Sequence, residues 1–333
     1  GTTENVSIYD NFTSINGDIL VDRDIEGGVK IYREYNCDTI VVIGGTVEID
    51  CAKLIAACVN NPAKTLDQFI GTNNLVNDIP PICSIMTENC ASSTTATAEF
   101  FDSESGQWKT VLSGYLIPHM VVIDTDFSER VMRETTISSA LTALCIAIEA
   151  YISPLAEQFA EYRASSLIAT SIIFKNLEKY CNNTTDAFLR KQIAVGGFYA
   201  GLSSRKTGIG YAHVIMHVLI NHYGIVHGTG FTKILNLVLQ AHLANDRICA
   251  ALAEIAKTSH FCSQNLDNRP AAESLIDNLN RLSLKCLGSE VELPIEKADV
   301  ETIVADIEKE IKVYELNDDI DTKALYSIIL ALS

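Results

Sequence analysis

The sequence has few basic residues and lacks membrane and export signals. It carries 25 Lys and Arg against 42 Asp and Glu, a formal net charge of −17, and no Lys/Arg-rich patch offsets this excess. Such a charge opposes binding to a phosphate backbone, so we expect no nucleic-acid partner. No uninterrupted apolar run approaches the roughly 18–20 residues of a membrane helix, and Gly1–Asp10 lacks a signal-peptide pattern. We therefore expect a cytoplasmic protein without membrane affinity.

Paired cysteine motifs are also missing. None of the ten cysteines forms a C-x-x-C pair, which argues against a cysteine zinc site. Several lie inside apolar runs, where a thiol behaves as a small buried hydrophobic group. Free thiols in this number suit a reducing compartment, in agreement with a cytoplasmic location.

A strand–turn–helix unit is predicted near the N-terminus. Thr39–Ile43 is a continuous β-branched run that ends at Gly44 and Gly45, and it predicts a parallel strand buried on both faces. A helix is predicted over Asp50–Val59. A glycine turn at a helix N-terminus lets a phosphate approach backbone N–H groups. A Gly-Gly pair after a strand is also simply a tight turn, so the motif leaves both interpretations open.

The remaining pattern predicts two domains. Pro81–Ile85 and Met120–Ile123 are predicted strands, and we expect Leu112–Leu116 to pair with Met120–Ile123. We predict a Rossmann-like α/β domain with a mainly parallel sheet over residues 1–127 and an all-α domain over 128–333. The main helices predicted in the second domain are Thr136–Tyr151, Ala156–Cys181, Ala187–Leu202, Gly210–Tyr223, Thr229–Ala244, Arg247–Lys257, Ala298–Val313 and Thr322–Leu332.

Four of the seven histidines are concentrated in one short segment of the second domain: His213, His217, His222 and His227. On a helix, His213 and His217 share a face one turn apart, and Gly224 is a residue that can end the helix before His227. Converging imidazoles can bind a metal or carry a proton. A buried helix with hydrogen-bonded histidines would give a similar pattern, so both hypotheses stand.

Four segments in the same order carry a family resemblance. The chain resembles the iron-containing (group III) alcohol dehydrogenases of the dehydroquinate-synthase-like superfamily. The segment Cys37–Lys53, which reads CDTIVVIGGTVEIDCAK, is similar to the family's strand, GGGS turn and D-x-A-K helix. The segment Ala140–Ser153, which reads ALTALCIAIEAYIS, resembles the family's G-x-D-A-L-x-H-A-I-E-A-Y-x-S helix. The segments concerned are Cys37–Lys53, Leu116–Asp126, Ala140–Ser153 and the H-x3-H-x9-H pattern of His213, His217 and His227.

The resemblance implies an NAD(P)-dependent oxidoreductase that interconverts a small alcohol and an aldehyde or ketone, with a metal in the cleft between two domains. It assigns His213 and His227 as metal ligands and His217 as a further cleft histidine, which could donate a proton to the substrate oxygen. The positions that it assigns to the cofactor turn are Gly44, Gly45, Thr46 and Asp50. It also implies a homodimer.

The chain departs from the family pattern at both sites. Thr142 and Ile146 stand where the family has an Asp and a His ligand, so we expect Fe²⁺ or Zn²⁺ to bind weakly or not at all. Thr46 replaces the third glycine of the turn. The second phosphate loop, near Met86–Thr95, contains Glu88 and no glycine. The chain opens at what resembles the family's second strand, so we expect its α/β domain to lack the first strand–helix unit.

These departures leave three functional hypotheses. The first is an active oxidoreductase with altered metal dependence. The second is a catalytically degraded homologue that keeps the fold and acts as a binding or structural protein. A less favoured third is a sister reaction of the superfamily, such as polyol or glycerol-phosphate oxidation.

Overall fold

The computed structural model describes residues 8–9, 20–88, 91–225, 228, 230–316 and 320–333. Within these residues an α/β region is followed by a helical region, as predicted. The strands are Ile40–Gly44 (β1), Gly71–Thr72 (β2), Ile82–Met86 (β3), Thr97–Asp102 (β4), Gln107–Leu112 (β5) and Met120–Ile123 (β6). The helices are Asp22–Glu34 (α1), Thr46–Asn60 (α2), Arg133–Ile152 (α3), Ala160–Asn182 (α4), Ala187–Ser204 (α5), Tyr211–Tyr223 (α6), Phe231–His242 (α7), Asp246–Thr258 (α8), Asn268–Leu287 (α9), Val300–Val313 (α10) and Thr322–Leu332 (α11).

The strands form two small sheets. β1, β3 and β6 make a parallel sheet in the order β1-β3-β6. β4 and β5 form an antiparallel pair, and β2 runs parallel to β5. The expected pairing of Leu112–Leu116 with Met120–Ile123 is therefore wrong. Leu112 pairs with Thr97 on β4, a 3₁₀ turn follows at Gly114–Leu116, and β6 pairs with β3 instead.

The parallel sheet is covered on one face. Val42 is buried, whereas Val41 and Ile43 are 62% and 56% exposed, so the prediction that β1 is buried on both faces is wrong. α2 packs against β1, and its fully buried Ile49 and Leu54 belong to the same hydrophobic core as Val42. Among the described residues, no helix covers Val41 and Ile43 as α2 covers the opposite face of β1.

The helical region has its own core, built from α3 to α11. All eight helices predicted there are present, with ends that differ by a few residues, and α9 is one that the sequence analysis did not predict. The last strand ends at Ile123 and the first long helix starts at Arg133, while the domain boundary after residue 127 stays a prediction.

α3 is long and apolar enough to cross a membrane by length and composition alone. In the fold, 72% of its most apolar window is buried inside the protein. Core helices pass the same test, because they too are surrounded by apolar side chains. α3 is therefore a core helix, and it packs against α6, the helix that carries His213 and His217.

Candidate active site

α6 carries the candidate histidines, and local sequence fixes both its ends. It begins after Gly210 and stops at Gly224, whose φ of 62° is a left-handed conformation that favours glycine. This confirms the predicted helix end. The helix is held against β5 because the Asn221 side chain accepts from the Trp108 N–H at 2.7 Å and donates to the Trp108 carbonyl at 3.3 Å.

The structure brings His213 and His217 together on the buried face of α6. Their ring centroids are 5.3 Å apart, the rings are perpendicular, and each residue is 7% exposed. The four-residue spacing predicts this shared face. His222 lies elsewhere on the helix, with Nε2 2.9 Å from Oδ2 of Asp306. His227 lies outside the described residues.

Glu99 is a further site residue, which no sequence motif predicted. Its Oε1 is 3.0 Å from Nε2 of His217, and the other ring nitrogen, Nδ1, is 3.3 Å from Oγ1 of Thr110. Both partners come from the β4–β5 hairpin. Alternation along β4, where Ala98 and Phe100 are fully buried, was the available signal that Glu99 points to the opposite face.

Glu149 of α3 supports His213 from below. Its Oε2 is 3.5 Å from Nδ1 of His213, and its Oε1 accepts a 2.7 Å hydrogen bond from the Ala212 N–H in the first turn of α6. A Cβ at Gly210 would collide with this carboxylate. One buried glutamate thus caps α6 and orients its first histidine.

Burial and nearby carboxylates act in opposite directions on the pKa of His217. Burial opposes protonation of this ring, but the nearby negative charges, led by Glu99, outweigh that effect and raise the pKa of His217 above its usual value. The arrangement therefore favours the protonated form of His217 beside Glu99.

Thr142 and Ile146, where the family resemblance implies two further metal ligands, lie on α3. A Cβ built at Gly228, in the turn after α6, would lie 3.0 Å from Oγ1 of Thr142, so this hydroxyl faces the turn. Ile146 packs against the helical core. A threonine hydroxyl is a poor ligand for a divalent cation and an isoleucine side chain is none. Thr142 and Ile146 therefore do not fit the metal site that the family resemblance implies.

The glycine turn after β1 already binds carboxylates. The Gly45 N–H donates to Oε2 of Glu48 at 2.7 Å, and the Thr46 N–H donates to Oε1 of Glu88 at 2.8 Å. Gly44, the last residue of β1, directly precedes Gly45 and Thr46. The N–H groups are thus oriented towards acidic oxygens, as they would be for phosphate, but the acceptors come from the chain itself.

Asp50, predicted in the cofactor turn, is buried beneath it. It accepts hydrogen bonds from Ser92 Oγ and, at 3.0 Å, from the Glu99 N–H. Burial raises the pKa of Asp50 to about 6, against the opposing effect of Lys53. The Lys53 ammonium lies 3.8 Å from Asp50 and donates to the carbonyls of Ser92 and Thr97 at 2.6 and 2.7 Å. These contacts fix the segment that leads into β4 and so position Glu99.

A cavity of about 510 Å³ opens beside the buried cluster. Glu149 and Gly210 belong to its wall, together with the basic side chains of Arg205 and Lys206. Because Glu149 also contacts His213, this side chain lies between the cavity and His213.

The parallel α/β region with a glycine turn, followed by helices that carry buried histidines, is the architecture of a two-part dehydrogenase. Residues 4–125 match the family model "Iron-containing alcohol dehydrogenase", and residues 136–319 match "Fe-containing alcohol dehydrogenase family, C-terminal". The chain belongs to the iron-containing alcohol dehydrogenase family.

Similar proteins agree with this assignment. The 1,3-propanediol dehydrogenase of Klebsiella pneumoniae is 27% identical over 79% of this chain and 67% of its own length. The NAD-dependent methanol dehydrogenase of Bacillus methanolicus is 27% identical over 78% of this chain and 67% of its own. The crystal structure of a 1,3-propanediol oxidoreductase superposes with a TM-score of 0.83 at 23% identity, covering 94% of this chain and 81% of the other.

Proposed function

We propose that the chain is an NAD(P)-dependent oxidoreductase that interconverts a small alcohol and an aldehyde or ketone. Family membership supports the reaction class. The observation that carries the proposal is the placement of His217 between Glu99 and Thr110, beside His213. This buried group can hold a proton next to a reacting oxygen.

In this proposal His217 acts on the substrate oxygen. Glu99 stabilises the protonated ring, and Thr110 fixes its orientation through Nδ1. In the direction of aldehyde reduction His217 donates its proton to the oxygen, and in the reverse direction it recovers it. A bound nicotinamide would supply or accept the hydride. Since Thr142 and Ile146 do not fit the family's metal, no step here uses an ion at that position.

The glycine turn fits a cofactor diphosphate only after a local rearrangement. The N–H groups of Gly45 and Thr46 are already directed at acidic oxygens. Glu48 and Glu88 must both leave these N–H groups for a phosphate to bind them, and Glu88 obstructs with the end of a flexible side chain rather than with backbone. Gly44, Gly45 and Thr46 would then bind the diphosphate, while Asp50 acts beneath them by holding the segment before β4.

One observation favours a second candidate, a binding or structural homologue without turnover. Both helix N–H groups that would receive a phosphate are bonded to Glu48 and Glu88. If those carboxylates keep their positions, negative charge repels the cofactor. Cofactor titration separates the two candidates before any substrate is known.

The test is reduction of a panel of short aldehydes by purified protein with NADH or NADPH. We expect cofactor-dependent turnover, and we expect His217→Gln to lower kcat/KM by roughly 100-fold or more because it removes the proton donor. His222→Gln is the matched control, on the same helix but bonded to Asp306, and should keep activity. Absence of both turnover and cofactor binding in the unmodified protein would support the second candidate.

We further propose a homodimer with a cytoplasmic location. The dimer follows from family resemblance, and the location from the acidic charge and the free cysteines. Light scattering at micromolar concentration tests the first, and fractionation of the source cells tests the second. A monomer, or recovery with membranes, would refute the respective statement.

A further inference from the structure

We propose that Glu99, His213 and His217 form a divalent metal site, displaced from the position that the family resemblance implies. One ligand atom from each residue lies within 4.8 Å of the other two. Binding is measurable without any activity, and in the metal-bound state His217 is a ligand rather than the proton donor of the proposed function. His213 belongs to both ligand sets, while Glu99 and His217 take the place of the lost positions on α3.

The chemistry of the three side chains suits Fe²⁺ or Zn²⁺. Two imidazoles and one carboxylate, with further positions open, are the ligands of catalytic zinc sites and of non-haem iron sites. Ligands about 2.1 Å from a tetrahedral ion lie roughly 3.4 Å from one another. The 3.0 Å between Glu99 Oε1 and His217 Nε2 is close to that value, so small side-chain shifts would complete the site.

Each histidine also has a partner on its outer side. Glu149 is 3.5 Å from Nδ1 of His213, and Thr110 is 3.3 Å from Nδ1 of His217. Metal-binding histidines are commonly held in this way, with one nitrogen on the ion and the other on a carboxylate or another polar group. We therefore assign Nε2 of both rings as the ligand atoms.

Charge favours a cation at this position. The side chains of Glu99 and Glu149 are 24% and 5% exposed, and both are directed at neighbouring imidazoles. A divalent ion would balance the two carboxylates while the rings stay neutral. The ion and the proton on His217 compete for the same place, because a histidine must be deprotonated to bind metal.

The experiment is metal binding to the full chain after removal of metal with a chelator. We titrate Zn²⁺ calorimetrically and record the visible absorption of bound Co²⁺. The expected result is one ion per chain, with an absorption spectrum of nitrogen and oxygen coordination. Glu99→Gln and His217→Gln should each weaken binding by roughly 100-fold or more, and Glu149→Gln by about 10-fold, since it acts on His213 from outside.

Two control variants distinguish metal binding at this site from nonspecific binding of cations to an acidic protein. Glu104→Gln removes an exposed carboxylate from the same hairpin, and His222→Gln removes an imidazole from the same helix. Both should bind like the unmodified chain, with circular dichroism confirming that every variant is folded. If Glu99→Gln fails to fold, Glu99→Asp is used, which keeps the charge but shortens its reach.

Absence of stoichiometric metal in the unmodified chain overturns the proposal, and so does binding that Glu99→Gln leaves unchanged. These outcomes are independent of turnover. Cofactor-dependent activity in a chain that binds no metal would refute the metal site and leave the proposed function standing. Metal bound through Glu99 in a chain without cofactor-dependent activity would support the metal site and refute the proposed function.

Discussion

Oε1 of Glu88 lies 2.8 Å from the backbone nitrogen of Thr46 and accepts its hydrogen bond. Thr46 is the first residue of α2, so a carboxylate from the β3 side of the sheet occupies the positive end of a helix. The same end is where the family resemblance predicts a cofactor diphosphate. Glu88 would therefore compete with a cofactor diphosphate for this helix end.

Replacing Glu88 should strengthen cofactor binding. We expect Glu88→Ser to lower the Kd for NADH or NADPH about 10-fold, or about 1.4 kcal/mol, because it removes both the competing acceptor and a negative charge. Quenching of intrinsic fluorescence during titration measures the change. Glu104→Ser, on an exposed part of the β4–β5 hairpin, should have no effect. An unchanged Kd in Glu88→Ser would show that Glu88 does not limit binding.

Restoring the lost ligands should move the metal to the family position. In a Glu99→Gln background, which removes the displaced site, the added pair Thr142→Asp and Ile146→His should recover stoichiometric metal. The reason is that Thr142 already faces Gly228 in the turn that precedes α7, so an aspartate there would join His213 as the family resemblance implies. Elemental analysis after dialysis measures the content. No gain of metal over Glu99→Gln alone would contradict this geometry.

The buried Lys53–Asp50 pair should be essential for stability. Lys53 is fully buried, and its removal leaves the Asp50 carboxylate without its nearest cation. We expect Lys53→Met to lower the free energy of unfolding by about 3 kcal/mol, measured by urea denaturation. Lys30→Met, on the exposed side of α1, should change it by less than about 0.5 kcal/mol. Equal stability of the two variants would refute a structural role for the pair.

Gly210 is needed to let Glu149 cap α6. A Cβ at this position would meet the Glu149 side chain, so Gly210→Ala should displace the cap and cost roughly 1–3 kcal/mol of unfolding free energy. Gly114→Ala is the matched control, because a Cβ there meets no atom within 4 Å. Thermal denaturation followed by circular dichroism compares the two. If Gly210→Ala melts with the unmodified chain, the Glu149 carboxylate moves aside without cost.

Local sequence patterns correctly predicted the features that depend on residues adjacent in the chain. The β-branched run before Gly44 forms β1, and α6 ends at Gly224 as predicted, since strand and helix periodicity and a left-handed cap are properties of adjacent residues. The predicted strand pairing was wrong because pairing depends on contacts between residues that are distant in the chain. Leu112 pairs back to Thr97 rather than forward to β6, a choice that depends on how the sheets close.

The sequence by itself determined the family, the α/β-then-helical order, and the shared face of His213 and His217, because motif spacing and helical periodicity are written in consecutive residues. Only the tertiary structure decided what surrounds those histidines. Thr110 contacts His217 from 107 residues away, and Glu99 reaches it from the same hairpin. Such contacts are fixed by how α6 docks on β5 through Asn221, a packing event that no local pattern encodes.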